Sequence, residues 1–154
     1  MNRRHALVAS TLCAAGLAVA PSALAVAHLP GVRTSAGDVS CLYVPGAGKR
    51  ESGSLLCQVR GAVYAKTLQA QCVAPPTSLD WHGFQLGATK GGAVVCSGGI
   101  LYDPRTQRPS YAALPSGGSW RHGVFTCRAQ SGGFTCTNRS DHGLFVSRRS
   151  WRAW

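Results

Sequence analysis

Acidic residues are nearly missing from this chain. Of its 154 residues only Asp38, Glu51, Asp80, Asp103 and Asp141 carry a carboxylate side chain, and Glu51 is the sole glutamate. Hydrolysis of glycosides needs two carboxyl groups flanking a cleft at a fixed separation. Glu51 lies in the loop-like segment Pro45 to Gly53, and nothing in the sequence sets it against a second acid. Other signatures are absent as well. There is no Gly-x-Ser-x-Gly elbow for a serine nucleophile. No Cys-x2-Cys, His-Glu-x2-His or phosphate-cradling glycine motif occurs, so neither a metal nor another cofactor is expected. No amphipathic run of helical period exceeds two turns, which argues against a helical domain. Beyond the N-terminus no apolar run approaches the roughly 20 residues of a membrane span.

The N-terminus has the order of a secretory signal. Arg3-Arg4-His5 supplies positive charge, Leu7 to Ala20 is uncharged and largely apolar, and Pro21-Ser22-Ala23-Leu24-Ala25 ends in small residues. Residues 1–25 are expected to be removed, with cleavage after Ala27 as the alternative. Cys13 would leave with the signal. The remainder divides into residues 26–38, a poorly ordered extension, and residues 39–154, one β-rich domain. Discarding Arg3 and Arg4 from 16 basic residues leaves 14 against five acids, a net charge of +9. Such a balance favours anionic surroundings.

Six cysteines remain: Cys41, Cys57, Cys72, Cys96, Cys127 and Cys136. An even count in an exported chain implies disulfides, and six cysteines allow 15 pairings. Strand patterning narrows them. Set Cys127 opposite Cys136 in an antiparallel hairpin, and Arg128 faces Thr135, Ala129 faces Phe134 and Gln130 faces Gly133. Ser131-Gly132 is left as a two-residue turn. Phe125, Cys127, Ala129, Phe134 and Cys136 then share one apolar face, because side chains alternate. The same construction pairs Cys41 with Cys57, Leu42 with Leu56 and Tyr43 with Leu55. Cys72 with Cys96 follows by elimination. Further short β-rich runs are Val39 to Val44, Leu55 to Arg60, Ala93 to Cys96, Val124 to Arg128, Phe134 to Asn138 and Leu144 to Arg149. With 19 glycines and eight prolines between them, they predict an all-β fold, a small antiparallel sandwich or barrel stapled by three disulfides.

The C-terminal third carries a recognisable set of words: Leu114-Pro115, Gly118-Ser119-Trp120, Phe125-Thr126-Cys127, Gly133-Phe134-Thr135-Cys136-Thr137-Asn138, and His142-Gly143-Leu144-Phe145 with Ser147-Arg148. Asp80-Trp81 with Gly83, Leu86 and Cys96 extends the set. On these residues the chain resembles small secreted actinobacterial proteins built on one domain of uncharacterised function. It departs from them where Asp141-His142-Gly143-Leu144-Phe145 replaces the usual Gly-His-Gly-Phe, and where Gly99 stands in place of an acid. The resemblance implies export and a disulfide-containing β domain. It implies no reaction.

Three histidines precede a glycine: His82, His122 and His142. A metal-independent nuclease would use two histidines as acid and base, with an arginine on the phosphate. His122 and His142 are the pair for that alternative, which extends to a small hydrolase. Glycine after histidine also serves plain backbone turns. Arg139, Arg148, Arg149 and Arg152 interleave with Trp151 and Trp154, and a basic and aromatic mixture can grip a polyanion or stack on sugars. If Leu144 to Arg149 is a strand, Arg148 and Arg149 point to opposite faces. Trp151 is then a tether for the C-terminus. A third reading places Lys49-Arg50 as the bait of a protease inhibitor, in a loop closed by Cys41 and Cys57. The sequence as a whole points to a non-catalytic, monomeric binding module outside the cytoplasm, secreted or held at the cell envelope. Its candidate binding residues are His142, His122, Trp120, Arg148 and Trp151, and its candidate partner is an anionic envelope polymer.

Overall fold

The computed structural model of the chain describes residues 27–46, 53–73, 79–99 and 102–154. The signal segment, its first cleavage site after Ala25 and Lys49-Arg50 lie outside the described residues; the alternative site after Ala27 falls at the first residue of β1. The elements run β1 (Ala27–Thr34), β2 (Val39–Val44), β3 (Ser54–Val59), α1 (Ala65–Val73), β4 (Asp80–Gly87), β5 (Gly92–Ser97), β6 (Gln107–Leu114), β7 (Ser119–His122), β8 (Phe125–Gln130), β9 (Gly133–Thr137), β10 (Gly143–Ser147) and β11 (Trp151–Ala153). They form two sheets. One has six strands in the order β5-β4-β3-β2-β1-β6, the other five in the order β11-β10-β9-β8-β7. Every pairing is antiparallel except β1 with β6.

The hairpin built around Cys127 and Cys136 has the expected register, with Arg128 opposite Thr135, Ala129 opposite Phe134 and Gln130 opposite Gly133. Gly132 takes the positive φ of 78° in its turn. Cys41 stands opposite Cys57, with Leu42 on Leu56 and Tyr43 on Leu55. The three bridges are Cys41–Cys57, Cys72–Cys96 and Cys127–Cys136. Both hairpin cystines point into the space between the sheets, where the Cys136 and Cys41 sulfurs lie 3.9 Å apart. The Sγ atoms of Cys41, Cys127 and Cys136 gather within 4.8 Å. All three are tied up in cystines and offer no thiolate to a metal. Around them pack Val32, Val39, Leu55, Phe84, Leu86, Phe125, Phe134, Leu144 and Val146, all essentially buried. The result is a sandwich whose core is the alternating inner faces of both sheets.

Two expectations are corrected, and one short helix accompanies the sheets. The segment given to a loose N-terminal extension is strand β1, which buries Leu29, Val32 and Thr34 and lies between β2 and β6. A helix is present: α1 buries Leu68 and Cys72 four residues apart, and Cys72 bridges it to β5. Finally, β10 stops at Ser147, and Arg148 to Ser150 turns into β11. The Ser147 hydroxyl accepts the backbone N–H groups of Arg149 (3.3 Å) and Ser150 (3.0 Å). A serine that captures the next amides in this way competes with the ladder and ends the strand.

Candidate functional site

The three His-Gly pairs have three different backbone causes. In β4 the pairing skips from Trp81 opposite Cys96 to Gly83 opposite Val95, so His82 is the extra residue of a β-bulge. Gly83 has φ 106°, and a Cβ there would meet the Cys57 carbonyl oxygen at 2.2 Å. Gly123, with φ 56°, makes the turn from β7 into β8. Gly143 leaves room for an indole, since a Cβ there would sit 2.1 Å from Trp154 Cζ2. The backbones of Gly143 and Trp154 also exchange hydrogen bonds at 3.0 and 3.1 Å.

The histidines are not brought together. His122 is at the end of β7, opposite Phe125 of β8. His142 precedes β10, where its carbonyl accepts the Asn138 amide at 3.0 Å. With β8 and β9 between them, three inter-strand steps separate the two backbones, roughly 14 Å. His142 instead neighbours Gly91 in the β4–β5 turn. His122 belongs to an aromatic group: its ring is 5.7 Å from Trp120, nearly parallel at 18°, and 4.4 Å from Tyr43. Trp120 and His122 alternate on the inner side of an edge strand and are half-buried. Trp151 is a tether in fact, with its ring 5.0 Å from the core ring of Phe84. Arg152 lies over Trp154 at 5.0 Å.

The loop that carries His142 is organised by Asn138, which is 5 % exposed. Its Nδ2 donates to the carbonyls of Gly87 (2.8 Å) and Lys90 (3.0 Å), and its Oδ1 accepts the amides of Ser140 (2.9 Å) and His142 (3.2 Å). Asn138→Ala leaves two carbonyls and two amides without these partners. The expected loss is about 2–4 kcal/mol in a denaturant titration, and a change under half a kcal/mol would mean that water replaces the amide.

Of the five candidates, Arg148 lines an open groove. It is at the opposite end of the sandwich from His122 and His142, where the turns β1–β2, β8–β9 and β10–β11 meet the link from β3 to α1. Val63 donates its backbone N–H to the Arg148 carbonyl at 2.9 Å, and Tyr64 donates its hydroxyl to the Ser147 carbonyl at 2.7 Å. Burial pushes the Tyr64 phenol up to about 12, which keeps it a neutral donor. Arg148 Nε reaches back to the Gly61 carbonyl at 3.4 Å. Between these turns lies a groove of about 470 Å³, lined by Arg148, Arg149, Ser147, Val63, Asp38, Ser131 and Gly132. A second hollow of about 320 Å³ continues past the β8–β9 turn and shares Asp38, Ser131 and Gly132. Val63 is 74 % exposed, an apolar side chain left in the open beside two guanidinium groups.

The charges in this groove are not spent internally. Among the described residues the one ion pair is Arg105 with Asp103 at 3.8 Å, so no described carboxylate lies within 4.0 Å of Arg60, Arg148 or Arg149. The Asp38 carboxylate accepts the Thr34 hydroxyl instead. Sequence reasoning set Arg148 and Arg149 on opposite faces because it carried the strand through them. It missed Val63 and Arg60, which enter through the β3–α1 link, and no local signal marked them. Comparison with protein families, with curated proteins and with solved structures finds no match for this chain. The site therefore stands on its geometry.

Proposed function

We propose that the chain is an exported binding module that holds an anionic polymer outside the cytoplasm, at the cell envelope or in the medium, in the groove beside Arg148 and Arg149. The observation that carries this reading is the pair of exposed arginines, unpaired with any described acid, next to exposed Val63. Two guanidinium forks suit carboxylate or phosphate groups, and Val63 suits the apolar spacing between them. The formal charge of +11 on the full chain draws polyanions to the surface. Three disulfides belong to an oxidising compartment, and no helix among the described residues is long and apolar enough to cross a membrane. Placement among the secreted actinobacterial domains is part of this proposal and rests on the terminal motif. The nuclease reading is not carried forward, because its two histidines stand three strand steps apart. The inhibitor reading rests on residues outside the described ones.

A soluble polyuronate is the probe. It is expected to bind with an affinity that falls as salt rises, because exposed charges are screened within about 10 Å at 0.1 M. Arg148→Gln with Arg149→Gln is expected to weaken binding about tenfold and to flatten the salt dependence, since exposed ion pairs contribute up to about 1 kcal/mol each. Neutral dextran is expected not to bind. Polyuronate affinity that ignores both salt and the double substitution would overturn the reading.

A further inference from the structure

The β4 bulge has a consequence on the outer face of the six-stranded sheet. Trp81 and Phe84 both face the core, with ring centroids 5.7 Å apart. Residues three apart in a regular strand face opposite sides, so the extra residue is what lets both rings turn inward. It also leaves His82 on the outer face beside β3. There Cys57 pairs with Phe84 and faces inward, which directs Gln58 and Arg60 outward. His82, Gln58, Arg60 and the margin of Trp81 consequently line one open pocket of about 270 Å³.

We propose that this pocket takes a single carboxylated sugar unit. Arg60 is anchored by one contact, its Nη2 to the Gly37 carbonyl at 3.2 Å. The rest of the guanidinium fork is free for a carboxylate in bidentate geometry. His82 offers one N–H in either tautomer, and the Gln58 amide offers a donor and an acceptor to ring hydroxyls. Trp81, half-buried against the core, borders the pocket and brings its environment within reach of a bound ligand. Its indole N–H is held by the Gly83 carbonyl at 2.9 Å and its backbone N–H by Gln69 at 2.9 Å, so the ring is fixed before any ligand arrives. Two acids flank the pocket, and each is engaged: Asp80 accepts the Gln69 side-chain amide at 3.0 Å, and Asp38, whose backbone carbonyl accepts the Arg60 N–H at 2.8 Å, accepts the Thr34 hydroxyl on its carboxylate. Ligand pockets usually begin near 300 Å³, so this volume suits one sugar rather than several.

The inference deepens the polyanion reading, because it names the group that a pocket next to the arginine groove recognises. The test is a titration of the folded chain with D-glucuronate, read on the His82 imidazole and Trp81 indole NMR signals. Both signals are expected to move saturably. Glucose and acetate, each holding half of the recognised chemistry, are expected to bind at least about tenfold more weakly. Arg60→Gln and His82→Gln should each cost about tenfold, and Arg60→Lys, which keeps the charge but not the fork, nearly as much. Arg105→Gln, exposed and in neither site, should leave the glucuronate titration unchanged. The assignment is overturned if glucuronate moves neither signal, if acetate binds as well as glucuronate, or if Arg60→Gln binds normally. A failed glucuronate titration with intact polyuronate binding removes the pocket alone. Polyuronate binding indifferent to Arg148 and Arg149, with glucuronate intact, removes the groove alone.

Discussion

Removing the three disulfides is expected to unfold the protein at room temperature. The bridges close loops with sequence separations of 16, 24 and 9. Restricting the unfolded chain to loops of that length amounts to about 3, 3.5 and 2.5 kcal/mol. Together this matches the whole stability of a typical domain, about 5–15 kcal/mol. The two hairpin bridges do more than shorten loops. Cys41, Cys57, Cys127 and Cys136 are fully buried and meet in the middle of the sandwich. Cys41→Ala with Cys57→Ala therefore also opens a void against the facing cystine. Losing both hairpin bridges should cost less than the sum of the two separate losses, because either single removal already gives up the contact between the two cystines. Cys72–Cys96 ties α1 to an outer strand, so its removal should be the mildest despite its longer loop. Buried cystines resist added reductant in the folded state. The decisive sample is protein reduced in denaturant, alkylated and then returned to buffer. Recovery of a cooperative thermal transition by that sample would contradict this description of the core.

Gly83→Ala, at a buried position of β4, should be strongly destabilising. Its backbone conformation at φ 106° is one that side-chain-bearing residues rarely adopt, and its Cβ would collide with the backbone oxygen of Cys57 in the neighbouring strand. Strain of that kind costs about 1–3 kcal/mol, and forcing apart two central strands adds about 1–3 more. The bulge cannot straighten as an escape. Removing it would turn either Trp81 or Phe84 out of the core, where the two rings pack with Tyr64 at 6.0 and 6.1 Å. A loss of about 2–6 kcal/mol is expected in denaturant titration, together with a changed Trp81 indole signal. A stability within half a kcal/mol of the parent would mean that β3 and β4 pair differently.

The parts of the fold legible in the sequence share a cause. Around Cys127–Cys136 and Cys41–Cys57, cysteine position and period-2 alternation agree, so register followed from local pattern. Strand β1 was missed because its parallel partner, β6, lies more than seventy residues onward, and local reading does not reach that far. The β6 sequence, QRPSYAAL, shows no clean alternation because it is an edge strand with exposed sides. In β4 the bulge itself broke the period that would have marked the strand. Helix α1 buries only Leu68 and Cys72, too few positions to make a stripe. The site followed the same rule. Arg148 was legible as a basic residue, yet its grouping with Arg149 depended on Ser147 ending the strand. Val63 and Arg60 joined the groove and the pocket only through the packing of distant turns. Glycine after histidine suggested one recurring motif, and the fold uses it for a bulge, a turn and an indole slot.

The central claim is that a partner docks at the arginine end of the sandwich and not at the end that carries His122 and His142. Backbone amide shifts during titration with a polyuronate test it most directly. The expected result is a contiguous set of shifts at Val63, Ser131, Gly132, Arg148 and Arg149, with Trp120, His122 and His142 unmoved. Shifts centred on Trp120, His122 or His142, or no shifts anywhere, would contradict the claim.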